Sequence, residues 1–324
     1  MPIFSASEET IKKGAELIKN GGVVAFPTET VYGLGADAFN PIAVAKIFEI
    51  KNRPTFDPLI VHISKIKMVD RLWKSIDSRI KLLMEKFWPG PLTIILPKKE
   101  EVPDIVTAGL DTVAVRMPSH PIAKKLIEQS NTPIAAPSAN PFGYLSPTTA
   151  DHVYKQLNDK VELIIDGGKC PIGVESTVID LTDKTPVLLR AGGLPLEELE
   201  IVLGHIEIKS SFNQNPKSPG QLKKHYSPKT PIILIDSETT TQPISKNCGY
   251  LGFKIPKFEI EKSKFRIIKY LSTTGDLKEA AANLFSILHE LDDEKLDYIY
   301  VEKIEEKGLG RAIMDRLKKA KGID

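Results

Sequence analysis

The stretch Lys209–Lys229, KSSFNQNPKSPGQLKKHYSPK, constrains this chain more than any other feature. It holds five lysines, three prolines and four serines, lacks any acidic residue and carries almost nothing apolar. Such a segment buries too little surface to offset its ordering entropy, so it reads as a linker. It divides the 324 residues into a long first part and a short second part, as expected of a chain beyond the usual reach of one core. The predicted units are a first domain over 1–205, a linker over 206–229 and a second domain over 230–324.

In the first part, short apolar runs alternate with helical patterns. Ser7 opens a helix whose apolar positions include Ile11, Ala15 and Ile18, and Gly21-Gly22 end it. Residues 43–50 and 80–87 show further helical stripes. Strands are predicted at 23–26, 59–63, 92–96, 113–117, 133–136, 161–165, 174–181 and 187–190, so the strands are complete by Gly204. The pattern is α/β, with an α+β first domain built on a large mixed twisted sheet, but it leaves the strand order open. Beyond the linker, strands are predicted at 232–235, 250–253, 267–271 and 298–301, with helices over 277–291 and 311–319. That alternation predicts a small, largely parallel Rossmann-like sheet.

Several chemistries are absent from the sequence. No phosphate loop of the G-x-x-x-x-G-K-[ST] type, no H-E-x-x-H and no G-x-S-x-G occurs. The six histidines form no metal-ligand pair, and Cys170 and Cys248 read as two reduced thiols. Gly33-Leu34-Gly35-Ala36-Asp37-Ala38 fits a loose dinucleotide pattern, but Pro27–Tyr32 separate it from the preceding strand and Pro41 delays the helix. With a net charge of +2, any anion contact must come from local clusters. The N-terminus has no apolar signal region and no stretch reaches the roughly 18 apolar residues of a membrane span, so a cytoplasmic protein is expected.

Cations recur at the ends of these runs. Lys51 and Arg53 leave a helix C-terminus, where they would complement the helix dipole as surface charges worth ~0.3–1 kcal/mol. Arg116 interrupts Val113–Met117 and faces either solvent or a ligand. Ser138 and Asn140 follow a buried run with small residues, and Arg190 ends another. His62, interrupting another apolar run, reads first as a satisfied core histidine. Together, cations at several strand ends with Ser and Asn nearby point to a concave site for an anion. No base–nucleophile pair accompanies them, which suits phosphoryl or nucleotidyl transfer.

These residues carry a resemblance. GVVAFPTETVYGLG (22–35), the Lys51-x-Arg53 and Ser138-x-Asn140 pair, DPLIVH (57–62), WPGPLT (88–93), TVAVRMP (112–118) and GVEST (173–177) resemble the motifs of the YrdC-type domain. Pro219-Gly220 and His225-Tyr226-x-Pro228 resemble those of long two-domain threonylcarbamoyl-AMP synthases. The resemblance implies that L-threonine, bicarbonate and ATP, with Mg²⁺, yield threonylcarbamoyl-AMP and pyrophosphate for tRNA modification. It implies catalytic roles for Lys51 and Arg53. ATP would contact Lys51, Arg53, Asp57, Thr112, Ser138, Asn140, Ser146, Arg190, His225 and Tyr226. Threonine would contact Thr30, His62, Arg116, Ala136 and Ser176. No protein ligand to a metal is implied. The linker is expected to close over ATP as a lid, and the partners expected are the tRNA threonylcarbamoyl-transfer machinery and a weak tRNA contact. The alternatives are a basic RNA-binding module without catalysis, and carbamoyl transfer of the hydrogenase-maturation kind, whose zinc fingers two isolated cysteines cannot build.

Overall fold

The computed structural model describes residues 2–209, 216, 218–220, 225–236, 243–256 and 264–322. Within the stretch expected to act as a lid, 206–229, residues 210–215, 217 and 221–224 lie outside the described residues. Within the first part the strands are β1 (Ile3–Ser5), β2 (Val24–Phe26), β3 (Gly33–Asp37), β4 (Ile60–His62), β5 (Leu92–Pro97), β6 (Thr112–Arg116), β7 (Ile134–Ala135), β8 (Leu163–Asp166), β9 (Thr177–Asp180), β10 (Val187–Arg190) and β11 (Glu207–Ile208). They form one mixed sheet in the order β1-β8-β2-β3-β7-β4-β6-β5-β9-β10-β11. Helix Glu8–Lys19 begins where expected, with the Ser7 hydroxyl accepting from the Thr10 amide at 3.1 Å.

Three departures from the sequence reading have local causes. The glycine-rich run at Gly33 is a strand, antiparallel to both β2 and β7. A Cβ on Gly35 would lie 2.6 Å from both Phe26 and Ile134, so this glycine serves packing between neighbouring strands and not a phosphate turn. The strand expected from Val174 begins only at Thr177, because Gly173 has φ +75° and the chain turns there. β11, parallel to β10, lies past Gly204, so the sheet outlasts the point where its strands were expected to be complete.

Alternation along the central strands sorts side chains to two faces. Val61, Val113, Val115, Ile94 and Leu188 enter the main core beneath the helices. Ile60, Ala114, Val178 and Leu189 form a small apolar floor on the opposite face. His62 and Arg116 belong to this second face by the same period of two, and they are paired across β4 and β6.

The second part folds as expected. β12 (Ile232–Ile235), β13 (Cys248–Lys254), β14 (Ile267–Ser272) and β15 (Tyr298–Glu302) form a sheet in the order β12-β15-β13-β14, with every pair parallel. Helices Leu277–Asp293 and Leu309–Lys321 pack with it. Their apolar stripes also cover Val31, Leu145 and Val174 of the first part in one shared cluster. Contact is close enough that a Cβ on Gly173 would lie 2.4 Å from the Ala281 carbonyl oxygen. No helix among the described residues is long and apolar enough to cross a membrane.

Candidate active site

A cavity of ≈ 50 Å³ opens on the second face of the sheet, above the apolar floor. Arg53, Arg116 and Arg190 all line it, together with Thr30, His62, Ala136, Ser138, Ser176, His225 and Tyr226. The fold explains the convergence. β4, β6 and β7 are neighbours through their register, and the β2–β3 turn and the start of β9 close the sides.

Arg116 is 3 % exposed, so it faces neither bulk solvent nor the main core. Its Nε donates to the Gly90 carbonyl oxygen at 3.2 Å and Nη1 to the Thr30 hydroxyl at 2.9 Å. Its Nη2 pairs with the Glu29 carboxylate at 2.7 Å. Burial, the largest single influence, would raise the Glu29 pKa, but the Arg116 charge and the hydrogen bonds from Arg116 and the backbone together bring the carboxyl below its ordinary value. His62, buried beside this pair and edge-on to Phe26, has its pKa pushed down to about 3 by burial and the Arg116 charge. It is therefore a neutral imidazole in this site.

The Lys51–Arg53 pair corrects the surface-charge reading. Lys51 is fully enclosed, and its Nζ donates to the carbonyl oxygens of Ser138, at 2.6 Å, and Asn140. Arg53 is 7 % exposed. Its Nε donates to the Asp57 carbonyl oxygen at 3.1 Å and its Nη2 to that of Pro58 at 2.9 Å, while Nη2 pairs with the Asp57 carboxylate at 2.9 Å. Asn52, in the left-handed conformation with φ 51°, ends the helix and turns Arg53 inward. Burial lowers the pKa of both cations, for Lys51 with help from Arg53 and for Arg53 against the opposing pull of Asp57. Such groups gain when a polyanion arrives. Asn140 in turn ties its own loop, its Nδ2 donating to the carbonyl oxygens of Pro141 and Tyr144.

Arg190 holds the far wall. Its Nε donates to the Ser176 carbonyl oxygen at 3.0 Å, Nη2 to the Ser176 hydroxyl at 3.1 Å and Nη1 to the Pro219 carbonyl oxygen at 3.2 Å. The Ser176 hydroxyl also contacts that of Thr93 at 2.7 Å. Glu175 sits beside it, accepting from the Ser146 hydroxyl and pairing with Arg316 at 2.8 Å. Over the top lie His225 and Tyr226, with ring centroids 4.1 Å apart. His225 also meets Phe142 edge-on. Burial and then the charges of Arg53 and Lys51 hold the His225 imidazole far below its ordinary pKa.

Of the residues singled out in sequence, Thr30, Arg53, His62, Arg116, Ala136, Ser138, Ser176, Arg190, His225 and Tyr226 line the cavity. Lys51, Asp57, Asn140 and Ser146 stand directly behind its walls, bonded to them or to their loops. Thr112 is elsewhere. It pairs with Pro97 at the other end of β6, four residues and roughly 13 Å along the strand from Arg116. The sequence reading did not single out Glu29, Glu175 or Arg316, whose carboxylates and guanidinium anchor the cavity's own groups. Arg316 left a visible trace: it occupies a position in the apolar stripe Leu309, Ala312, Ile313, Leu317, Ala320, where a charge needs a buried partner.

The chain matches known proteins along its whole length. A Sua5/YciO/YrdC family model, described as telomere recombination, matches residues 16–192. A second model, the C-terminal domain of threonylcarbamoyl-AMP synthase, matches residues 194–322. The threonylcarbamoyl-AMP synthase of Pyrococcus abyssi is 48% identical over 97% of this chain and 95% of its own length. That of Bacillus subtilis is 44% identical over 98% and 95%. A crystal structure of the P. abyssi protein complexed with L-threonine superposes with a TM-score of 0.92 at 45% identity, covering 99% of this chain and 98% of the other.

Proposed function

The chain belongs to the Sua5/YciO/YrdC family and is a threonylcarbamoyl-AMP synthase, and from that premise we propose how its residues divide the work. L-Threonine's amine and bicarbonate combine with loss of water to give an N-carboxylate. One of its oxygens attacks the α-phosphorus of ATP, forming the mixed anhydride threonylcarbamoyl-AMP as the bond to pyrophosphate breaks. The nucleophile is already anionic, so the site needs no strong base. It must gather a carboxylate, a carbamate and a triphosphate and keep them from repelling one another.

Three arginines converging on one small cavity carry this reading. Arg116, held by Glu29 and Thr30, faces the threonine carboxylate. Neutral His62, Thr30 and Ser176 offer uncharged polar contacts, and Ala136 leaves room for the substrate above the floor. Arg53 and Arg190 take the phosphates, because their present partners are mostly neutral carbonyls. Lys51 holds the Ser138–Asn140 loop against the nucleotide and adds charge beside the reacting phosphorus. Ser146, Asp57 and Thr112 act from behind these groups or from farther along β6. Each carboxylate near the cavity is already paired with an arginine: Glu29 with Arg116, Asp57 with Arg53, and Glu175 with Arg316. That donor set fits a Mg²⁺ ion held through phosphates and water. Such an ion would screen phosphate charge.

A cavity of ≈ 50 Å³ is far below the roughly 300–1,000 Å³ of a ligand site. His225 and Tyr226 lie over this cavity, and we assign them the role of a lid that opens as ATP enters and closes again over the nucleotide. Closure would shield the anhydride from water. The product goes to the machinery that modifies tRNA, in the cytoplasm, with a weak tRNA contact by this chain. Pyrophosphate release tests the assignment. It should require both threonine and bicarbonate, and serine should be poorer by ~1–3 kcal/mol for the lost methyl contact. Turnover without bicarbonate, or equal turnover with serine, would overturn it.

A further inference from the structure

The second domain brings a buried charge up to the wall of the cavity. Arg316, on helix Leu309–Lys321, is 0 % exposed. Its Nε donates to Glu175 at 2.8 Å, and its Nη1 donates to the Ala191 carbonyl oxygen at 2.8 Å and to Asp315 at 2.7 Å. The guanidinium carbon lies 5.0 Å from the centroid of the Tyr226 ring. Arg316 thus touches the wall of the catalytic domain, the strand end leaving β10 and the linker at once.

Glu175 is a conspicuous group in such a place. It lines the cavity, where a triphosphate is to bind, and an unpaired carboxylate there would repel that ligand. Within the first domain the counter-charge that acts most on Glu175 is Arg190, whose field it feels after that of Arg316. Yet Arg190 forms no ion pair among the described residues, bonding instead to carbonyl oxygens and a hydroxyl. Arg53 and Arg116 each already have a carboxylate partner.

We propose that Arg316 is a positioning residue through which the second domain completes the active site: it neutralises Glu175 from behind, leaves Arg190 free for phosphate, and seats Tyr226 of the linker. This rests on the reading of the cavity as the ATP site. A domain with no catalytic motif of its own thereby sets the charge of the site it leans on. A plain interdomain tie would instead affect melting temperature without altering ATP recognition.

The test uses the full chain and reads ATP binding by calorimetry without threonine or bicarbonate, so it stands apart from the synthase chemistry measured by pyrophosphate release. Arg316→Met should weaken ATP binding by about tenfold or more, the effect of one uncompensated charge a few ångströms from the phosphates. The KM for ATP should rise more than kcat falls. Arg316→Lys, which keeps the charge and loses donors, should be intermediate. The paired variant Glu175→Gln/Arg316→Met removes both charges and should bind ATP within a few-fold of the wild type. If Arg316→Met does not fold, Arg316→Lys and the paired variant still decide. Wild-type affinity in Arg316→Met, or a paired variant that binds ATP as poorly as Arg316→Met or worse than Arg316→Lys, overturns the proposal. ATP recovery in the pair together with absent pyrophosphate release in every variant and the wild type would instead locate the fault in the assigned reaction.

Discussion

Replacing Arg53 by Ala separates burial from catalysis. As a surface cation at a helix end, Arg53 would matter by under ~1 kcal/mol. The structure gives a larger figure, because the residue is buried, donates to the carbonyl oxygens of Asp57 and Pro58, and pairs with the Asp57 carboxylate, which is itself fully buried. Truncation leaves that carboxylate without its partner. Breaking a buried ion pair from one side costs ~3–5 kcal/mol, and at about 2–4 °C per kcal/mol for a domain of this size the melting temperature should fall by about 6–20 °C. Turnover should fall ~10²–10³-fold, as for the loss of one preorganised donor at a reacting centre. The variant Arg53→Ala/Asp57→Asn removes the stranded charge. Scanning calorimetry should show most of the lost melting temperature returning, while pyrophosphate release stays low. An unchanged melting temperature in Arg53→Ala refutes the burial argument, and recovery of activity along with stability in the double variant refutes the catalytic role.

Three further outcomes are expected. His62, His152 and His289 have pKa values depressed to about 3, about 3 and about 4, in each case first by burial. They fold neutral and take up protons on unfolding below about 6.5, so stability is full above that pH and is lost as pH falls toward the folded values. Each should cost roughly 2 kcal/mol between pH 6.5 and 5, and a urea midpoint unchanged over that interval contradicts this. Gly35→Ala should destabilise by ~1–3 kcal/mol through overlap with Phe26 and Ile134, and a wild-type melting curve would show that the two strands can part freely. His225→Ala/Tyr226→Ala in the full chain should weaken ATP binding and lower product yield if these rings form the lid; wild-type affinity and yield would reduce the linker to a tether. The intact chain is needed for that comparison, since a fragment ending at Gly204 loses β11 and uncovers Val31, Leu145 and Val174.

The sequence alone determined the division into two units, the parallel second sheet and most of the first-domain strands. Apolar periodicity and linker composition are local properties, and they survive without knowledge of contacts. It also marked the cavity's cations, because a charge inside an apolar run is visible wherever the run goes. What it could not decide was which face each charge takes. Arg116 read equally as solvent-facing or ligand-facing, and only the pairing of β4 with β6 turned it away from the core into a closed cavity. Arg53 read as a surface charge because its burial comes from the turn at Asn52 and from Asp57, brought round by the loop before β4. Gly33–Ala38 matched a dinucleotide pattern that its spacing argued against, but the strand it forms, packed on Phe26 and Ile134 of the neighbouring strands, was not legible. Arg316 is the fullest case. The sequence reading passed it over although its place in an apolar stripe marks a buried position, and its partner Glu175 stands 141 residues away in another domain. A buried charge is stable only with its counter-charge, and the identity of that counter-charge belongs to the packing of the two domains.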